Sequence, residues 1–118
     1  MANELGVTVS LNFLKMGAKL NVSASDSFNV TGDSFVNGVH EVGTSEEELV
    51  QLADLGTPGW CYVKNLDETN YVQIGTVTSE YCIRLLAGEF CLFRMDGTSL
   101  FAKANTAVCL VQYAIIEA

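Results

Sequence analysis

Apolar and polar residues alternate along most of this chain, and a period of two predicts β-strands rather than helices. Val7, Val9, Leu11 and Phe13 fall on one parity, while Thr8, Ser10 and Asn12 fall on the other. Met16-Gly17 interrupts the run. Leu20, Val22 and Ala24 then alternate with Lys19, Asn21 and Ser23, and Phe28 and Val30 carry the pattern to a turn at Gly32-Asp33. Each of these reads as a strand with one face buried. A further strand is expected from Phe35 to Val42.

Residues 43–59 fit the pattern less well. Thr44 with Glu47, and Ser45 with Glu48, both match a capping box, in which a hydroxyl and a carboxylate satisfy free amides at a helix start. Leu49, Leu52 and Ala53 would share a helical face, so a loop with one helical turn is expected. A strand with Val50 and Leu52 inward is the alternative. Gly56-Thr57-Pro58-Gly59 ends the stretch as a turn.

Strand signals then become strong. Trp60 to Leu66, Tyr71 to Val77, Tyr81 to Leu86, Phe90 to Met95, Leu100 to Ala104 and Ala107 to Glu117 are separated by turn residues. Asp96-Gly97 is the best short hairpin signal, because both residues tolerate the positive φ of a type I′ turn. The last strand is apolar on both parities: Cys109, Val111, Tyr113 and Ile115 on one, Val108, Leu110, Ala114 and Ile116 on the other. Such a strand is central in its sheet or buried at an interface. About ten short strands with frequent turns imply an all-β, antiparallel β-sandwich or small barrel. One domain over residues 7–118 is expected, with residues 1–6 as an N-terminal arm.

Charge narrows the function. The 118 residues hold six Lys and Arg against fourteen Asp and Glu, a formal net charge of −8. Binding nucleic acid needs clustered cations to displace counterions from phosphate. Lys15, Lys19, Lys64, Arg84, Arg94 and Lys103 are instead scattered, so neither nucleic acid nor an anionic membrane is expected as a partner. The first residues lack the charged and apolar regions of a secretory signal, so synthesis in the cytoplasm is expected.

Candidate chemistry is sparse. Cys61, Cys82, Cys91 and Cys109 have no Cys-x-x-Cys spacing and each sits in an apolar run, so four buried, reduced thiols are expected. His40 is the single histidine, and a satisfied or surface strand position accounts for it. Glu46-Glu47-Glu48 reads as a solvated charge run. Asp67 to Asn70 offers oxygens for a cation but is equally an ordinary turn. No catalytic, cofactor-binding or metal-binding residue is therefore assigned. Trp60 and Tyr62 share one face of their strand: buried they belong to the core, which the richness in aromatics favours, and exposed they could stack on a sugar or anchor a partner. Leu14 breaks the otherwise polar face of the first strand and marks a candidate subunit contact.

Several segments also carry a resemblance. They are Gly56-Thr57-Pro58-Gly59, Lys64-Asn65-Leu66-Asp67, Asn70-Tyr71-Val72-Gln73-Ile74-Gly75, Leu86-Ala87-Gly88-Glu89, the run from Leu100 to Thr106, and the closing Ile115-Ile116-Glu117. Together, from Gly43 onward, they resemble small virion proteins of tailed bacteriophages; the first 42 residues match nothing in that group. The resemblance implies a β-sandwich or jelly-roll-like fold and a structural role on the particle, most often capsid cement or decoration. It also implies a homo-oligomer, a trimer before a dimer, that binds the major capsid protein on the capsid surface after synthesis in the host cytoplasm. The rival expectation is a carbohydrate- or receptor-binding module of a phage tail or head fibre, working through Trp60 and Tyr62.

Overall fold

The computed structural model describes residues 4–48, 55, 57–96 and 99–118. Among these residues every regular element is a strand, and every pairing is antiparallel. The fold class is therefore all-β. The chain divides into two compact units, Met1–Thr31 and Gly32–Ala118. The first two long strands, which the sequence groups with the rest of the chain, lie in the first unit and pair with each other.

The first unit is a β-hairpin. Strands β1 (Leu5–Lys15) and β2 (Ala18–Phe28) pair along their whole length, from Leu5 opposite Phe28 to Lys15 opposite Ala18. Met16 and Gly17 close it with φ of 51° and 85°. Two successive positive φ values suit the right-handed twist of the ribbon. The register sorts the side chains completely. Leu5, Val7, Val9, Leu11 and Phe13 share one face with Leu20, Val22, Ala24, Asp26 and Phe28. Thr8, Ser10 and Asn12 share the other with Asn21, Ser23 and Ser25, where the Thr8 and Ser25 hydroxyls lie 3.2 Å apart. Alternation had implied a covered apolar face. That expectation is corrected: apart from Leu5 and Val7, every residue of both strands is exposed, on a sheet of two strands.

The second unit is a sandwich of two four-stranded sheets. Its strands are β3 (Phe35–Val42), β4 (Glu47–Glu48), β5 (Pro58–Asn65), β6 (Val72–Gly75), β7 (Ile83–Leu85), β8 (Phe90–Arg94), β9 (Phe101–Ala104) and β10 (Cys109–Glu117). One sheet has the order β3-β10-β5-β8 and the other β4-β9-β6-β7. The pairs β3·β10, β4·β9, β5·β8 and β6·β7 are nested, each enclosed in sequence by the one before. Val42, Cys61, Val63, Cys109, Val111 and Ile115 from the first sheet meet Val72, Ile74, Leu85, Leu100, Ala102 and Ala104 from the second in one core. β10 is central, as its two-sided apolar pattern implied.

Three local expectations change. The helical turn expected within residues 43–59 is replaced, where described, by the short edge strand β4. Leu49, Val50, Leu52 and Ala53 lie outside the described residues. Glu47 takes neither capping-box role; its carboxylate accepts the Gly43 amide at 2.5 Å and lies 3.3 Å from His40 Nε2, which leaves that histidine satisfied. Finally, β8 and β9 belong to different sheets, so they form no hairpin around Asp96-Gly97; Gly97 itself lies outside the described residues. A turn signal fixes where the chain bends, not which sheet receives the next strand.

Candidate interaction surface

The two sheets of the sandwich present unlike outer faces. On the second sheet Glu48, Gln73, Arg84 and Lys103 point away from the core together with the half-buried Phe101, and the Arg84 guanidinium sits 4.4 Å from the Tyr71 ring centre. That is an ordinary solvated face. The first sheet differs. Its outward positions are Phe35, Asn37, Val39 and Glu41 on β3, Leu110, Gln112, Ala114 and Ile116 on β10, Trp60, Tyr62 and Lys64 on β5, and Phe90, Leu92 and Arg94 on β8.

Register shows how these meet. Asn37, Ala114, Tyr62 and Leu92 form one row across the four strands, and Val39, Gln112, Lys64 and Phe90 form the next. Trp60 lies one pleat before Tyr62, opposite Arg94, and Phe35 pairs with Ile116 at the far edge. An apolar band thus crosses the sheet diagonally, from Phe35 through Ile116, Ala114, Trp60 and Tyr62 to Leu92 and Phe90. The Tyr62 and Phe90 rings are 6.2 Å apart and tilted by 38°, within the range of favourable aromatic pairs. Phe35 is 68% exposed and Phe90 64%. Taking ~200 Å² for a phenylalanine, these two alone leave roughly 250 Å² of apolar surface open. The largest patch on an ordinary monomer is about 300–600 Å². With Val39, Leu92 and Leu110 also exposed, this face lies within or above that range.

Of the residues singled out in the sequence, Trp60 and Tyr62 do stand side by side on this face, both half-buried. They are neither fully core nor fully open. Leu14 belongs to the other unit. It is 75% exposed on the polar face of the ribbon, opposite Lys19 and next to the closing turn, where Met16 is 96% exposed. Phe35, Val39, Phe90, Leu92 and Leu110 were missed. A signal for some of them existed: Phe90-Cys91-Leu92-Phe93 is apolar on both parities, as β10 is, and a strand of that kind has two faces to cover.

No family model, curated protein or solved structure matches this chain.

Asp67, Glu46 and Asn65 hold loops in place. The Asp67 carboxylate accepts the amides of Asn70 at 2.6 Å and Thr69 at 3.0 Å, and these bonds hold its pKa below the usual aspartate range. Glu46 is not simply solvated. It accepts the Tyr81 hydroxyl and the Ser79 amide, which lowers its pKa. Burial first, and the Glu46 contact second, push the Tyr81 phenol up to about 12. Asn65 is fully buried and donates through Nδ2 to the carbonyls of Asn70, Leu85 and Leu86. Among the described residues, no group of three or more His, Cys, Asp or Glu is placed to hold a metal ion.

The four cysteines are free thiols, as expected, but not all are buried. Cys61 and Cys109 are in the core and Cys91 is half-buried, whereas Cys82 is exposed. Cys82 precedes β7 in the loop after β6, where its neighbours Glu80 and Arg84 are also exposed. Burial pushes the Cys61 thiol up to about 12 and the Cys91 thiol to about 11. Neither is a nucleophile at neutral pH.

Proposed function

We propose that this chain is a structural protein of a tailed-bacteriophage particle, acting as capsid cement or decoration. The observation that carries the reading is the apolar outer face of the β3-β10-β5-β8 sheet, set on an otherwise acidic sandwich. An apolar band flanked by Asn37, Lys64, Arg94 and Gln112 has the make-up of a binding surface, an apolar centre with a polar margin. The proposed partner is the major capsid protein, gripped as a symmetric homo-oligomer across joints between subunits. A ligand that binds the assembled shell and not its separated subunits stabilises the shell by mass action. The formal charge of −8 suits a site outside a shell full of DNA, since it repels phosphate. The nested strand pairing supports reading the sandwich as a jelly roll, an architecture used by many capsid proteins and lectins.

The test is thermal. Particles are assembled with and without the protein and heated, with release of packaged DNA as the readout. A lower release temperature without the protein is expected, and full-length Trp60→Ala or Tyr62→Ala should restore less of the difference than wild type. Equal release temperatures with and without the protein would sink the cement role.

One observation favours a second reading. Trp60, Tyr62 and Phe90 supply neighbouring rings on one open face, a platform on which a sugar ring can stack. A glycan-array signal lost in folded Trp60→Ala, with no effect of the protein on shell stability, would select a carbohydrate-binding role instead.

A further inference from the structure

The hairpin has an apolar face of six rows: Leu5/Phe28, Val7/Asp26, Val9/Ala24, Leu11/Val22, Phe13/Leu20 and Lys15/Ala18. Isolated two-stranded hairpins are at best marginally stable in water, so a ribbon of this length with that face open needs a cover. We infer that the cover is the same face of a second copy, with the two ribbons stacked antiparallel about a twofold axis through the Leu11/Val22 row. This goes beyond the capsid reading and does not rest on it.

Three features point to that occupant. First, the face is self-complementary in this register. Counting outward from the axis, the small Val9/Ala24 row of one copy meets the large Phe13/Leu20 row of the other. One step further, the Val7/Asp26 row meets Lys15/Ala18, so the single acid on the face lies diagonally across from the partner's single lysine, within reach of its long side chain, twice over. A parallel stack would set Asp26 against Asp26 and Lys15 against Lys15. Second, the charge is divided to permit it. Glu4 and Asp26 cancel Lys15 and Lys19 within residues 1–31, so the whole formal −8 lies in residues 32–118. The ribbon is the part of two copies that can meet without like-charge repulsion. Third, the area is that of a small interface. Val9, Leu11, Phe13, Leu20 and Val22, the large apolar residues that this register sets against the partner, are between 45% and 56% exposed. At ~150–200 Å² per residue they expose roughly 440 Å² per copy. Two copies then bury about 900 Å² in total, close to the ~1,000 Å² of a specific interface. The contact is isologous, the commonest kind in soluble oligomers, and it favours a dimer over the trimer that the phage resemblance suggested.

The experiment uses the full chain at 1–200 µM (about the range that separates weak from tight dimers), with mass read by sedimentation equilibrium. Wild type should reach the mass of two chains. Leu11→Glu, which sets two carboxylates on the axis, should raise the dissociation constant at least ~100-fold, while Ser10→Glu on the opposite face should leave it unchanged. Asp26→Lys and Lys15→Asp should each weaken the dimer about tenfold or more, and the double variant should recover most of that loss. Asp26 and Lys15 are four rows apart on one hairpin, about 27 Å, so recovery reports a contact between copies. Hydrogen exchange covers the case in which a variant disrupts the hairpin: in wild type, protection of amides 5–28 should rise with protein concentration. A single-chain mass at 200 µM, an oligomer indifferent to Leu11→Glu, charge reversals that do not rescue one another, or hairpin exchange independent of concentration would each overturn the inference. None of these outcomes bears on the heating test of the capsid role.

Discussion

Replacing Asn65 by leucine keeps the branched shape of the side chain, with somewhat more bulk, and removes every side-chain hydrogen bond that ties β5 to two loops. The amide nitrogen donates to the carbonyls of Asn70 at 2.9 Å, Leu85 at 3.1 Å and Leu86 at 3.3 Å, and the amide oxygen accepts the Asp67 N–H at 3.0 Å. Two donor hydrogens serve three carbonyls, so about three full hydrogen bonds are lost. At a net ~1 kcal/mol each, the loss is ~3 kcal/mol, rising towards ~5 if the orphaned carbonyls stay dry. Total stability of a domain this size is about 5–15 kcal/mol, so the variant should fold but only just. Asn65→Asp should be worse still, because it turns a carboxylate towards two or three carbonyl oxygens. Urea unfolding followed by the fluorescence of Trp60, the chain's one tryptophan, should show the midpoint falling with its slope unchanged. A loss below ~1 kcal/mol for Asn65→Leu, or a milder effect for Asn65→Asp than for Asn65→Leu, would refute this account of the residue.

Gly75→Ala should destabilise by ~1–3 kcal/mol, the usual cost of forcing atoms into a packed site, because a Cβ there would stand 2.0 Å from the Glu80 carbonyl oxygen; an unchanged melting temperature would contradict the packing described. A thiol reagent applied to the native protein should label Cys82 fast and Cys61 and Cys109 only after unfolding, as peptide mapping would show; rapid labelling of Cys61 would contradict its burial. Asp67 is held below its usual pKa by the Asn70 and Thr69 amides. Its stabilising contribution is therefore complete above the usual aspartate range and fades as pH falls through the lower folded value. Asp67→Ala should be the less stable protein at pH 7, with the gap to wild type closing in acid; a constant gap from pH 7 to pH 2 would refute the assignment.

Most of the fold was legible in the sequence, and the failures share a cause. Alternation located β1, β2 and β3 because a pleated strand must sort its side chains, and the two-sided run in β10 correctly marked a central strand. Alternation states that a face is apolar without stating what covers it. Val9, Leu11 and Phe13 therefore read as half-buried although they are exposed. Glu46 and Glu47 looked like solvent-facing charge because their acceptors' partners, Tyr81, Ser79 and Gly43, are set by tertiary pairing. As for the interaction surface, adjacency of Trp60 and Tyr62 followed from the pleat. Phe35 and Phe90, which are 55 residues apart in the chain, come onto one face only through the nested strand order.

That strand order also sets a timetable. Among the described residues β3 finds its one strand partner in β10, and Phe35 pairs with Ile116. At synthesis rates of about 5–20 residues per second, β3 waits roughly 4–16 s for the far end to be made. The hairpin, by contrast, draws both its strands from residues 5–28 and can pair within microseconds of emerging, though alone it is marginally stable. A nascent chain thus carries a ribbon able to pair well before its sandwich can close, so the hairpin is available to a second copy during synthesis.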